Sequence, residues 1–157
     1  MSIPATVQAY LTDHQVQYDV VLHRRTSSSL ASARAAQIPG DRLAKAVVLR
    51  DEDDHTMMAV LPATHHINLD VLRRDLQKRL HLVTEAELEP LFRDCEPGAL
   101  PSLGEAYGMP VVLDESLMVQ PDVYIEAGDH EALIHLHAGA FHFLMRSAAR
   151  MQFGVRH

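Results

Sequence analysis

The chain has 157 residues, 47% of them hydrophobic and 22% charged, with one cysteine and a net charge of −7, which fits a single folded domain over residues 1–157 that needs no disulfide to bury a core. The acidic balance argues against a protein that holds nucleic acid through a whole-surface basic field, so an RNA partner has to be caught by a local patch or by its end. No apolar run approaches the roughly 18–20 residues that span a bilayer, the opening MSIPATVQAY lacks a basic segment followed by an apolar one, and the lone Cys95 fits a reducing compartment, so a cytoplasmic protein without a membrane partner is expected.

Residues 4–14 read as an amphipathic helix with Val7 and Leu11 inward and Tyr10 beside them. Tyr18 to His23 is a strand. Thr26 to Ser29 offers several N-cap residues for an alanine-rich helix to about Gln37, and Pro39-Gly40-Asp41 is a turn. Leu43 to Arg50 is a strand, Asp51 to Asp54 a hairpin tip, and Met57 to Leu61 the returning strand. Asn68 or Asp70 caps a helix to about Leu80. His81 to Val83 is a short strand, and Thr84 to Glu87 resembles a capping box opening a helix to about Phe92. Cys95 to Gly104 has no period and is rich in glycine and proline, which predicts a structured loop. Pro110 to Asp114, Val123 to Glu126 and Ala132 to Leu136 are strands, and Ala138 to Arg150 is a closing helix with Phe141, Leu144 and Met145 inward. This mixture predicts one α+β domain with a mixed, largely antiparallel sheet.

Among 12 arginines there are only two lysines, Lys45 and Lys78. Lys78 sits in a charged helix. Lys45 sits inside Leu43-Ala44-Lys45-Ala46-Val47-Val48-Leu49, a strand apolar on both faces and therefore central. An unpaired ammonium there is costly. Two outcomes are open: it points into a polar pocket, or it snorkels to water from the strand's end. Desolvation would lower its pKa and a nearby anion would raise it.

Four segments in order now carry a resemblance. They are the Lys45 strand continuing to Asp51, the loop Cys95 to Gly104, the stretch Tyr107 to Leu117, and Ala127-Gly128-Asp129-His130. Together, over about residues 4–148, they resemble the YbaK/EbsC family, the freestanding relatives of the editing domain of bacterial prolyl-tRNA synthetases. The resemblance implies a mixed, partly barrel-like sheet and a trans-editing hydrolase that deacylates mischarged aminoacyl-tRNA at its 3′-terminal adenosine ester. Lys45 would sit near that adenosine and its phosphate and stabilise charge rather than act as a base. Gly98, Ala99, Leu100, Pro101 and Ser102 would present backbone N–H groups to the ester carbonyl. Many relatives use water helped by the substrate's own ribose hydroxyl.

Tyr18, Thr26 and Ser28 fall where relatives line the amino-acid pocket, although strand and N-cap duty accounts for them equally. His130, beside Gly128 and Asp129, would read the amino acid or position water, or is simply a turn residue. The family loop often carries a second proline where this chain has Ser102, so the loop is either looser or gains a pocket hydroxyl. The implied partners are tRNA and, as a further option, an aminoacyl-tRNA synthetase; no DNA partner is expected. The alternative function is a non-catalytic module of the same fold that binds an aminoacyl or adenosine-like ligand or docks on a synthetase.

The other constellations point less far. His65 and His66 are adjacent and His135 and His137 share a strand face, but no third ligand stands at a matching spacing, so neither a metal nor a cofactor is expected. Arg24-Arg25 and Arg73-Arg74 with Lys78-Arg79 read as solvated faces. Asp114-Glu115 reads as a turn cap. No G-x-S-x-G elbow or nucleotide-binding glycine motif is present.

Overall fold

A computed structural model describes residues 3–157; Met1 and Ser2, which begin the segment read above for a leader, lie outside it. In chain order the elements are α1 (Ala5–Asp13), β1 (Asp19–Leu22), α2 (Ser29–Ala35), β2 (Leu43–Arg50), β3 (Thr56–Pro62), β4 (His65–Ile67), α3 (Leu69–Leu76), β5 (His81–Leu82), α4 (Glu85–Leu88), β6 (Val111–Asp114), β7 (Asp122–Glu126), β8 (Ala132–His137), α5 (Ala138–Leu144), β9 (Ala149–Met151) and β10 (Gly154–Arg156). No helix among the described residues is long and apolar enough to cross a membrane.

The strands form a mixed sheet in the order β1-β8-β7-β2-β3-β6-β9, with β5 pairing β2 off this path, and β4 pairs β10 separately. The β2–β3, β1–β8, β7–β8 and β2–β5 pairs are antiparallel. The β2–β7, β3–β6 and β6–β9 pairs are parallel. An α+β domain with a mixed sheet is thus the architecture.

The central strand is covered on both faces, as its two apolar faces require. Ala44 and Val48 join the main core with Leu11, Leu103, Ile125 and Phe141. On the other face Leu43 packs with Ala33 and Leu133, whereas Leu49 packs with Leu72, Val112 and Phe153. Lys45 stands between these two clusters. The α2 helix supplies Ala33 to the first, and α3 supplies Leu72 to the second.

Local chemistry sets the boundaries. Ser28 accepts from Ala31 N–H at the start of α2, Asn68 from Val71 N–H at the start of α3, and Thr84 and Glu87 form a reciprocal capping box. The α3 helix ends at Leu76 rather than near Leu80, because Gln77 turns left-handed and Arg73 Nε donates to the Leu80 carbonyl. Pro39-Gly40-Asp41 is drawn into a short 3-10 turn, Gly40–Arg42. The expected closing helix stops at Leu144, and Ala149–Met151 instead pairs in parallel with β6. Sheet pairing there outweighs a helical preference that alanine alone cannot sustain. Beyond it, Phe153 is 1% exposed within the α3-side cluster.

Phe153→Ala is expected to cost about 3–5 kcal/mol in urea unfolding, because it opens a cavity in a closed cluster. A loss within experimental error would mean that the C-terminal segment is not packed as described.

Candidate functional site

The site begins where β2 and β7 part. Leu43 lies opposite Tyr124 and Ala44 opposite Ile125, and the pairing then stops. The next residues are Lys45 and Glu126. Strand alternation puts both on the face of Leu43 and Tyr124, which α2 covers.

Lys45 is half-buried and forms no hydrogen bond or ion pair with any described residue. Burial alone pushes its pKa down. Of the two pKa directions left open by the sequence, the downward one, from desolvation, is found. The ammonium is free to meet a ligand's negative charge.

The glycine–proline loop lies against the same strand. Ser102 is fully buried, and its hydroxyl donates to the Ala44 carbonyl at 3.3 Å. The serine therefore neither loosens the loop nor lines the pocket with its hydroxyl; it ties the loop to the residue before Lys45. Ala99 N–H is occupied by the Glu96 carbonyl, and Pro101 has no N–H. The N–H groups of Gly98, Leu100 and Ser102 have no acceptor among the described residues, so these three are the loop's available donors.

The turn between β7 and β8 meets the loop from the other side. His130 is 7% exposed with φ of 62°, and its Nε2 lies 2.5 Å from the Pro97 carbonyl. A Cβ on Gly98, whose φ is 81°, would meet the His130 ring at 3.3 Å. Asp129 accepts from Glu131 and Ala132 N–H, each at 3.0 Å, and so holds the left-handed turn. Gly128 N-terminal to it lets Pro4 approach to a distance that leaves no room for a side chain. Thr26 N–H reaches the His130 carbonyl at 3.3 Å, and Arg25 pairs with Glu96 at 2.5 Å.

Thr26, Gly98 to Ser102 and Gly128 to His130 are thus linked to one another, and Ser102 links them to the residue before Lys45. Ser28 stands at the N-cap of α2 with its oxygen engaged by Ala31 N–H. Tyr18 is not brought to this group. It precedes Asp19, which pairs with His135, at the opposite end of β1 from Leu22 and Ala132, and it borders a separate cavity with His137.

Glu126 is the residue that the sequence did not single out. It is 1% exposed, and neither carboxylate oxygen has a hydrogen-bond partner among the described residues. Burial raises its pKa to about 7, opposed by the neighbouring Ser32 hydroxyl and reinforced by the charge of Asp129. Ser32 itself shares a 2.6 Å hydrogen bond with Thr26 Oγ1. In Asp122-Val123-Tyr124-Ile125-Glu126 the polar residues alternate with apolar ones, which reads as a solvent-facing edge. Only the position of α2 reverses that.

A cavity of about 530 Å³ is lined by Leu88, Phe92 and Arg93 and by the loop residues Glu96, Pro97 and Leu100. It contains Cys95, whose thiol burial pushes up to about 11 and which bonds Tyr107 at 3.2 Å. The one grouping of possible metal ligands among the described residues, Asp51, Asp53 and His55, is at the exposed hairpin tip. There Asp51 already accepts from two backbone N–H groups and pairs with Lys78. His135 bonds Asp122 at 2.7 Å.

An aminoacyl-tRNA editing domain model matches residues 23–142. A protein described as a candidate trans-editing enzyme for prolyl-tRNA synthetase superposes with a TM-score of 0.81 at 21% identity, over 96% of this chain and 95% of that one. A hypothetical protein superposes at 0.83 with 15% identity, over 96% and 99%. A candidate signal-transduction protein from Marinobacter aquaeolei VT8 superposes at 0.79 with 24% identity, over 98% of this chain and 31% of that longer one. At these identities the likeness is one of fold. No curated protein sequence matches the chain.

Glu126 provides a direct test of the site's electrostatics. Its folded pKa, about 7, lies above its ordinary 4.5. The folded state therefore binds the extra proton between those values, and stability falls as pH rises through that window. Glu126→Gln is expected to exceed wild type by about 2–3 kcal/mol at pH 8, with the difference gone near pH 4. Urea unfolding at the two pH values checks this; a pH-independent difference would contradict it.

Proposed function

The chain belongs to the aminoacyl-tRNA editing domain family, and from that premise we propose that it hydrolyses the ester of mischarged aminoacyl-tRNA in trans. The carrying observation is the half-buried Lys45 ammonium, unpaired among the described residues, one residue after the Ala44 carbonyl that tethers a loop with three uncommitted N–H groups. In this reading Lys45 holds the phosphate or adenosine end of the tRNA. The phosphate replaces water lost from the ammonium, and in a partly desolvated site that attraction exceeds its value in bulk solvent.

The N–H groups of Gly98, Leu100 and Ser102 receive the carbonyl oxygen of the ester. As water adds, negative charge moves onto that oxygen, and donors already fixed in place stabilise it without reorganisation. Ser102 serves this step through its tether to Ala44, which sets the loop's height over β2. His130 serves it by bracing Pro97 and Gly98. No side-chain nucleophile is required. Cys95, with its thiol pushed up to about 11, is almost wholly protonated at neutral pH.

The partner in this reading is the 3′ end of a tRNA, taken up locally. Arg24 forms no ion pair with any described residue, and it borders a cavity of about 410 Å³ with Thr26 and Ser27. That location supplies a positive group near the split while the chain as a whole stays acidic.

Lys45→Ala is expected to lower deacylation of a panel of mischarged tRNAs by about 10²–10³. Its melting temperature should be unchanged or higher, because an uncompensated charge is removed. Wild type that releases no amino acid from any member, while still binding the tRNA, would replace hydrolysis with a binding role for the same pocket.

A further inference from the structure

The reaction as described uses Lys45 and the loop but leaves Glu126 without a task. A carboxylate that is 1% exposed, with neither oxygen in hydrogen-bond geometry with a described residue and only the Ser32 hydroxyl near it, is a rare arrangement, since buried polar groups are almost always bonded. It has no cation among the described residues to offset it. Packing does not need it either; Leu or Met would fill the same volume without desolvating a charge.

Its surroundings describe a ligand. Glu126 ends β7 immediately before the turn that carries His130, and it follows the last residue paired with the Lys45 strand. The Ser32 hydroxyl lies beside it, hydrogen-bonded in turn to Thr26 Oγ1 at 2.6 Å. Thr26 borders the open cavity of Arg24, Arg25, Ser27 and Ala31. Two hydroxyls therefore lead from solvent to an unpaired carboxylate. Together they offer acceptor oxygens from three side chains, and a primary ammonium has three N–H donors and no acceptor.

The substrate class proposed above carries one such group. At its 3′ end an aminoacyl-tRNA bears an anionic phosphate on one side of the ester and the α-ammonium on the other. Lys45 and Glu126 present the opposite charges on one face of the sheet. We propose that Glu126, with the hydroxyls of Ser32 and Thr26, forms a buried subsite for the α-ammonium of the aminoacyl group. This inference rests on the editing reading. It adds that the site measures the free amine, so that an acyl group lacking it is held poorly.

The test uses non-hydrolysable 3′-aminoacylamino-3′-deoxyadenosines with alanyl, seryl and prolyl groups. Each is compared with its counterpart lacking the α-amine, and binding to the full chain is measured by calorimetry. Wild type should prefer at least one free amine over its des-amino counterpart by about 30-fold or more, the usual cost of removing one partner of a buried charged hydrogen bond. Glu126→Gln should abolish most of that preference by weakening the amine alone, leaving the des-amino compound within about twofold. Equal wild-type binding of every pair, or an equal loss for both members in the variant, would overturn the subsite. If Glu126→Gln failed to fold, the wild-type preference together with Ser32→Ala would decide.

Deacylation of the corresponding charged tRNAs separates the two readings. Amine preference without hydrolysis keeps the subsite and removes the esterase. Hydrolysis without amine preference does the reverse.

Discussion

A charge taken out of water must be repaid by a partner, and on one face of this sheet two charges are not. Lys45 is half-buried with no described side-chain anion beside it, and Glu126 is buried with only the Ser32 hydroxyl near its carboxylate among the described residues. They stand on neighbouring strands where β2 and β7 stop pairing. Each costs folding free energy in the free protein. The rest of the domain is arranged so that this cost can be borne, with a core of leucine, valine and phenylalanine on both faces of the central strand.

The neighbouring elements hold the split open in a defined shape. Ser102 ties the loop to Ala44, His130 props Pro97, and the left-handed turn at His130 is fixed by Asp129. Each contact is modest alone, about 1 kcal/mol for an ordinary hydrogen bond. Their joint effect is geometric: a loop with three N–H groups uncommitted among the described residues is fastened to the residue before Lys45. In the proposed reading, a chain of net charge −7 would take a polyanion at one point without a basic surface. Surface pairs such as Arg25–Glu96 add little energy, since both partners are largely in water, but they fix the segment carrying Thr26.

Much of this was legible in the residues. A lysine inside an apolar strand cannot be indifferent to its surroundings, and a glycine–proline loop without period had to be structured. The resemblance to editing domains rests on their order, and the family match agrees with it. Four things were not legible. Glu126 sits in an alternating strand whose polar face looks solvated until α2 is placed over it. Ser102 could have been a pocket hydroxyl; its partner is a backbone carbonyl 58 positions away, which no local pattern encodes. Ala149–Met151 reads as helix by composition and is a strand because the edge of β6 was open to it. Tyr18 was placed by analogy, and the length of β1 separates it from the split.

The location of the site decides between these readings, and a crystal structure of the protein with a non-hydrolysable aminoacyl-adenosine analogue measures it. Density is expected in the β2–β7 split, with the nucleoside phosphate or ribose edge at Lys45 and the acyl carbonyl facing the N–H groups of Gly98, Leu100 and Ser102. Density confined to the cavity lined by Leu88, Phe92 and Arg93 would contradict the proposed site.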